Sequence, residues 1–166
     1  LEPSCLLTLR DEYLVLFPGQ ESEQLAQNSF MLEEFLSNQL DAGKLNLKLR
    51  ALETNRALLH GHCHQKAFAV LSPVQRILGL IPDLDVETID SSCCGMAGSF
   101  GYEKEHYDAS MSMGSLSLFP AIKNEGPDAL IIADGTSCRG QIEHGTGRTP
   151  LHVARVLQMA LADRES

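Results

Sequence analysis

Three times along this chain a stretch short enough to be a strand runs straight into a loop that carries cysteine. Ala57 to His60 leads into Gly61-His62-Cys63-His64, and Asp85 to Ile89 leads into Ser91-Ser92-Cys93-Cys94-Gly95. Ala129-Leu130-Ile131-Ile132-Ala133 leads into Asp134-Gly135-Thr136-Ser137-Cys138. Helical patterns fill the intervals: Ala67 to Leu80, with Pro73 as a kink or restart, and His106 to Lys123, with Met111, Leu116 and Leu118-Phe119 as its apolar content. A last helix from Pro150 to Ala162 offers Leu151, Val153, Val156, Leu157 and Leu161 for burial. Strand and helix in alternation predict an α/β fold, a mainly parallel sheet with helices on its faces. Sites in such sheets collect beyond the carboxyl ends of the strands, so the cysteine loops are expected at one end of the molecule. The run 129–133 is apolar throughout and bounded by Gly126-Pro127-Asp128, which predicts a central strand buried on both faces.

The first third is less regular. After Cys5, Leu6, Leu9, Tyr13 and Leu16 recur at helical spacing until Pro18-Gly19, and Ser22 to Leu40 carries the stripe Leu25, Leu32, Phe35, Leu36 and Leu40 of one half-buried helix closed by Gly43. Leu45, Leu47 and Leu49 alternate with Asn46, Lys48 and Arg50, the pattern of a strand with one wet face. A chain of 166 residues can hold one full core, or one domain and a fragment of another. It opens on Leu1-Glu2-Pro3-Ser4-Cys5 without a Met start, which reads as a piece of something longer.

Acidic side chains outnumber basic ones by 22 to 13, a formal charge of −9, which disfavours broad attraction to nucleic acid or anionic lipid. No apolar run approaches the roughly 20 residues of a membrane span and no basic-then-apolar leader is present. The five cysteines form an odd set placed beside His and Gly rather than at the spacings of a secreted scaffold. That usage suits a reducing, cytoplasmic setting in which thiols do chemistry.

The doublet Cys93-Cys94 needs its own explanation, because adjacent thiols cannot both be buried as ordinary small hydrophobes and cannot easily bridge each other. Thiolates are soft ligands, and an iron–sulfur cluster or a metal ion such as zinc accounts for the pair. Cys63 and Cys138 at neighbouring strand ends complete a set of four candidate ligands. Cys138 also sits where a helix begins, whose positive end favours a thiolate. His62 and His64 flank Cys63; in an extended segment they point one way and Cys63 the other, as ligands or as donors to a sulfur ligand. His60 reads as a packed core histidine, and His106, His144 and His152 as helix positions without cysteine neighbours. Gly95, Gly98 and Gly101 lack the GxGxxG spacing and have no basic residue before Lys104, so close approach of backbone to a cluster explains them better than a phosphate does. Ser99, Tyr102 and Glu103 are candidates for outer hydrogen bonds, and Asp134 and Arg139 flank the last cysteine with charge.

Gly61-His62-Cys63-His64-Gln65-Lys66-Ala67, Ser92-Cys93-Cys94-Gly95-Met96-Ala97-Gly98-Ser99-Phe100-Gly101-Tyr102 and Asp134-Gly135-Thr136-Ser137-Cys138-Arg139 together resemble the CCG cysteine-rich domain. That domain occurs in heterodisulfide reductase, in the iron–sulfur subunits of glycolate oxidase and anaerobic glycerol-3-phosphate dehydrogenase, and at the carboxyl end of FAD-linked oxidases; the FAD-linked and glycolate oxidase branch is the nearest in motif. The resemblance implies tandem copies. Residues 1–50 then close a preceding repeat and bridge to a second, 51–166, and Pro3-Ser4-Cys5 answers to Thr136-Ser137-Cys138. The family's closing CxxC is incomplete, with Gly135 in place of its first cysteine here and Glu2 at the earlier copy. Five-cysteine coordination is therefore unavailable within one copy, and Cys5 joins the site only if the two copies meet.

The resemblance also implies the function: a carboxyl-terminal electron-transfer module of a 2-hydroxy acid dehydrogenase, with an iron–sulfur cluster here, FAD elsewhere in the full enzyme, flavin and ferredoxin-type domains or subunits as partners, and a quinone or other electron acceptor. Such a module is cytoplasmic, or peripheral to the inner membrane face through its partners. A structural zinc module in the same type of enzyme is the alternative, and a metal-free thiol catalyst built on Cys63 is a third reading, for which no separate orienting group is evident.

Overall fold

A computed structural model describes residues 2–162. Three strands, β1 (Arg56–His60), β2 (Asp85–Thr88) and β3 (Leu130–Ala133), form a parallel sheet in the order β2-β1-β3. Period-two alternation sorts their side chains between two apolar layers. Ala57, Leu59 and Ile132 pack with Val74, Ile77 and Leu78 of α6 (Leu71–Leu78) and with Val153, Val156 and Leu157 of α10 (Val153–Ala160). Leu58, Ile131 and Ala133 pack with Leu118, Phe119 and Ile122 of α8 (Leu118–Asn124) and Ile142 of α9 (Thr136–Thr146). The result is the expected α/β architecture. From β1 the chain crosses by α5 (Cys63–Ala67) and α6 to β2, then returns by α7 (Tyr107–Leu116) and α8 past β1 to β3. The ends of β1 and β3 are thus neighbours from which the chain departs in different directions, the switch point where α/β sheets open a crevice.

The central strand is β1, not the apolar run 129–133. β3 lies at the edge of the three strands, and its apolar character is explained by a cover: Ala133 donates to Leu151 O (2.9 Å), Leu151 donates to Ile131 O (2.7 Å), and α10 packs beside it. Residue 151 is therefore a bridge partner, and the last helix begins only at Val153.

Three expected elements divide or dissolve. The stretch 22–40 is two helices, α3 (Gln20–Gln27) and α4 (Leu32–Asp41), because Asn28 Nδ2 and Ser29 Oγ donate to the carbonyls of Gln24 and Leu25 (2.8 and 2.7 Å) and end the first, while Glu34 accepts from Met31 N (2.9 Å) and starts the second. The helix expected over 106–123 breaks at Ser117; Pro120 has no N–H to give and its ring would strike the carbonyl of Leu116. Residues 45–49 form no strand. Leu45 and Leu49 lean on the core, but Leu49 alone has a bridge partner, Leu161. Pro73 marks a restart, in the first turn of α6.

Two short helices, α1 (Pro3–Thr8) and α2 (Glu12–Leu16), precede α3, and Leu7 of α1 packs with Met31 and Val70. No helix among the described residues is long and apolar enough to cross a membrane. In the expected division at residue 50, Leu1 and residues 163–166 lie outside the described residues.

Candidate metal centre

The loop after β1 folds because two side chains close the start of α5. His62 Nδ1 accepts the backbone N–H of His64 (3.2 Å), and Gln65 Oε1 accepts that of His62 (3.0 Å). Cys63 is consequently the first residue of a helix rather than the middle of an extended segment, so His62 and His64 do not simply point opposite to it; their rings meet edge to face at 5.5 Å. The Gln65 amide donates onward to Asp134 Oδ2 (2.7 Å), and Asp134 Oδ1 accepts from Val153 N (3.2 Å). One buried side chain thereby ties the cysteine loop after β1 to the one after β3. Lys66 Nζ, donating to the carbonyls of Ser91 and Ser92, holds the loop before the doublet.

These ties bring Cys63, Cys93, Cys94 and Cys138 to a cavity of about 370 Å³, also lined by His62, His64, Ser4, Ala97, Gly98 and Ser137. All four are free thiols; Cys94 and Cys138 are buried, Cys93 is half-buried and Cys63 is exposed. They touch in file, with Cys63 hydrogen-bonded to Cys93, Cys93 to Cys94 and Cys94 to Cys138. Protons in such a file alternate. The hydrogen bond to Cys93, with burial, pushes Cys63 up, and those to Cys138 and Cys93 push Cys94 up. Cys93 is held down by donation from Cys63 and then Cys94, and Gly95 N also donates to its sulfur (3.3 Å). Donation from Cys94 lowers Cys138 to about 5, against its burial.

His60 is at the buried end of this file. It does not line the cavity: it is 1% exposed, its Nδ1 lies 3.0 Å from Ser91 Oγ, its Nε2 is buried with no nitrogen or oxygen partner, and its ring interacts with Cys138. A nitrogen of His60 and the sulfurs of Cys94 and Cys138 all lie within 4.8 Å of one another. Sequence reasoning set this residue aside as core. Its burial was legible, but the sulfurs facing it come from loops 34 and 78 residues further along.

Several expected positions fall elsewhere. Cys5 is exposed on α1 and does not line the cavity. Of the three glycines only Gly98 lines it. A Cβ on Gly95 would collide with the backbone carbonyl of Ser110, and one on Gly101 with the Ser110 hydroxyl, so these two admit α7 rather than a cluster. Asp134 and Arg139 turn away from the sulfurs: Arg139 Nη1 donates to the carbonyls of Ala133 and Asp134 (3.0 and 2.5 Å), and the Asp134 carboxylate accepts from Gln65 and Val153. A Cβ on Gly135 would stand 2.5 Å from His62 Cδ2 and 3.1 Å from Cys138 Sγ, so the imidazole of His62 fills the place a cysteine there would need. Glu2, at the other position lacking cysteine, accepts from the N–H of Thr136 (2.8 Å) at the same helix start.

Fold and site define a class: an α/β protein whose parallel sheet gathers four thiols and an imidazole at its switch point, a donor set suited to a soft metal or an iron–sulfur cluster. Over 159 residues, 96% of its length, the chain is 33% identical to one of the subunits of the anaerobic glycerol-3-phosphate dehydrogenase of Escherichia coli (strain K12). It is 31% identical over 153 residues to the D-2-hydroxyglutarate dehydrogenase of Haemophilus influenzae and 25% identical over 158 residues to that of Escherichia coli. The chain is homologous to these dehydrogenase proteins, of which it spans 39%, 14% and 15% of the length. No family model matches it, and neither does any solved structure.

Proposed function

We propose that this chain is the cysteine-rich electron-transfer part of an oxidoreductase that oxidises a 2-hydroxy acid at an FAD carried elsewhere in the enzyme, with Cys63, Cys93, Cys94 and Cys138 holding an iron–sulfur cluster. The observation that carries the reading is the unbroken file of four free thiols in one partly open cavity. The relatives' names add support, since glycerol 3-phosphate and D-2-hydroxyglutarate are both oxidised at a carbon bearing a hydroxyl. When bound, such a cluster supplies one-electron carriage. The chain's own residues set the conditions. Cys93 and Cys138 are held toward the thiolate, so the protons that binding must release sit chiefly on Cys63 and Cys94. Gln65 and Lys66 tie the loops that carry the cysteines to one another. The expected partners are flavin and ferredoxin-type domains or subunits, with a quinone or similar acceptor beyond them, in a cytoplasmic setting or peripheral to the inner membrane face through those partners. Residues 1–50 would close a preceding repeat.

A structural zinc module is the second reading, favoured by the mixed nitrogen and sulfur set of His60, Cys94 and Cys138. Metal and sulfide analysis with visible absorption on anaerobically prepared protein separates the two. Brown protein with iron and sulfide is expected; a colourless sample loaded with zinc would sink the cluster reading.

A further inference from the structure

We infer that His60 is a ligand of the thiol centre, through Nε2 and beside Cys94 and Cys138, and that His62 serves the same centre as a hydrogen-bond donor. The inference rests on the reading of the cysteines as a metal or cluster site. It follows from where the ring protons can be. A neutral imidazole has one N–H and one lone pair, and only the nitrogen with the lone pair can ligate.

A backbone N–H can only donate, so His62 Nδ1, which accepts from His64 N at 3.2 Å, carries that ring's lone pair. The proton of neutral His62 is then on Nε2, the atom turned toward the space between Gly135 and Cys138. His62 therefore presents a donor to the sulfur, as ring N–H groups commonly do around thiolate centres. His64 has a buried Nδ1 with no hydrogen-bond partner, yet among the described residues it belongs to no group of three close ligand atoms. His60 meets both requirements. The Ser91 hydroxyl, 3.0 Å from Nδ1, can take that nitrogen's proton in a hydrogen bond, the buried Nε2 has no nitrogen or oxygen partner, and the ring, which is beside Cys138, has a nitrogen close to two sulfurs. A locked Nδ1–H···O contact is also the usual device that orients a ligating imidazole.

The test uses the intact protein labelled with ¹⁵N-histidine, prepared anaerobically with iron and sulfide, and poised in a paramagnetic state. Pulsed EPR should show a nitrogen coupled strongly enough to be bound to iron. That coupling should vanish in His60→Ala and persist in His62→Gln and His64→Ala. His60→Cys guards against a fold lost through the smaller side chain: it should keep its iron, lose the nitrogen coupling and lower the reduction potential, because thiolate in place of imidazole adds negative charge. Coupling that survives both changes at His60, disappears on changing His62 or His64, or is absent from iron-loaded wild type overturns the assignment. Should the protein take zinc instead, the cluster reading fails while the ligand is still read: X-ray absorption should give one nitrogen at about 2.0–2.1 Å, lost in His60→Cys. Protein that binds neither metal overturns both.

Discussion

Two buried polar groups stand at the carboxyl edge of the sheet, and by composition either would pass for a metal site. On the side of α8 and α9 are His60, Cys94 and Cys138; on the side of α4 and α10 are Glu33, Asp134 and His152, likewise within 4.8 Å of one another. Lone pairs separate them. His152 Nδ1 accepts from Ala154 N (3.0 Å), which leaves a proton on Nε2, 3.6 Å from Asp134 Oδ1. Both oxygens of Asp134 accept hydrogen bonds, and Glu33 is pushed up to about 7 by burial and then by the charge of Asp134. The Glu33 oxygens are buried without a partner and its acid is pushed toward the neutral form, whereas the thiol group offers one sulfur held toward the thiolate, that of Cys138, with an imidazole beside it. Residue types alone do not make that distinction; the group facing each ring's Nδ1 does, a backbone N–H at His152 and a serine hydroxyl at His60.

Removing a sulfur should break the contrast most sharply. Cys138→Ser replaces a thiol at the start of α9, in contact with Cys94, by a hard hydroxyl, and bound metal is expected to fall more than tenfold by elemental analysis. Glu33→Gln should leave metal content unchanged. Equal losses in the two variants would mean that both groups feed one site.

The carboxylate side has its own signature in pH. Glu33 is protonated in both folded and unfolded chains well below its ordinary value of 4.5; between there and about 7 the unfolded chain releases the proton and the folded one keeps it. Stability conferred by the neutral acid is thus complete at low pH and lost as pH rises through 7, by about 3 kcal/mol in all at 1.36 kcal/mol per unit. Glu33→Gln does not titrate. Its stability relative to wild type should climb across that window, measured by urea denaturation at pH 5 and pH 8, and parallel curves would contradict the assignment.

Gln65 joins the two groups. Gln65→Ala strands the N–H of His62 and one oxygen of Asp134, at a cost of about 2 kcal/mol. If the link also positions the cysteines, metal affinity falls with it, and unchanged affinity would confine Gln65 to stability.

How far this was legible follows the reach of each signal. The succession of strands and helices along the chain and the gathering of cysteine loops come from apolar periods and from where each motif falls after its strand, both local, whereas the placing of β1 rather than 129–133 at the sheet's centre does not. His60 and Gln65 were not legible as parts of the site, since their partners are 31 to 78 residues away along the chain. The α4 stripe misled in a more instructive way. It predicts burial of Phe35, which is 48% exposed, while Glu33 and Ser37 face inward to meet Asp134 and Arg76. A helix that packs over a polar cluster does not advertise its buried face by hydrophobicity.

The glycines of the doublet loop give the smallest and most local version of the same contrast. Gly95 and Gly98 both have positive φ, +98° and +70°, but only Gly95 is pressed against backbone, the carbonyl of Ser110. Gly98 has open space where a Cβ would go and faces the cavity. Gly98→Ala therefore carries the conformational cost alone, about 1 kcal/mol, and should still bind metal. Gly95→Ala must shift α7 as well and should cost clearly more in the same denaturation assay. If Gly98→Ala proved the worse for metal binding while costing little stability, that would show its backbone approaching the bound group closely, the role the sequence suggested for all three glycines.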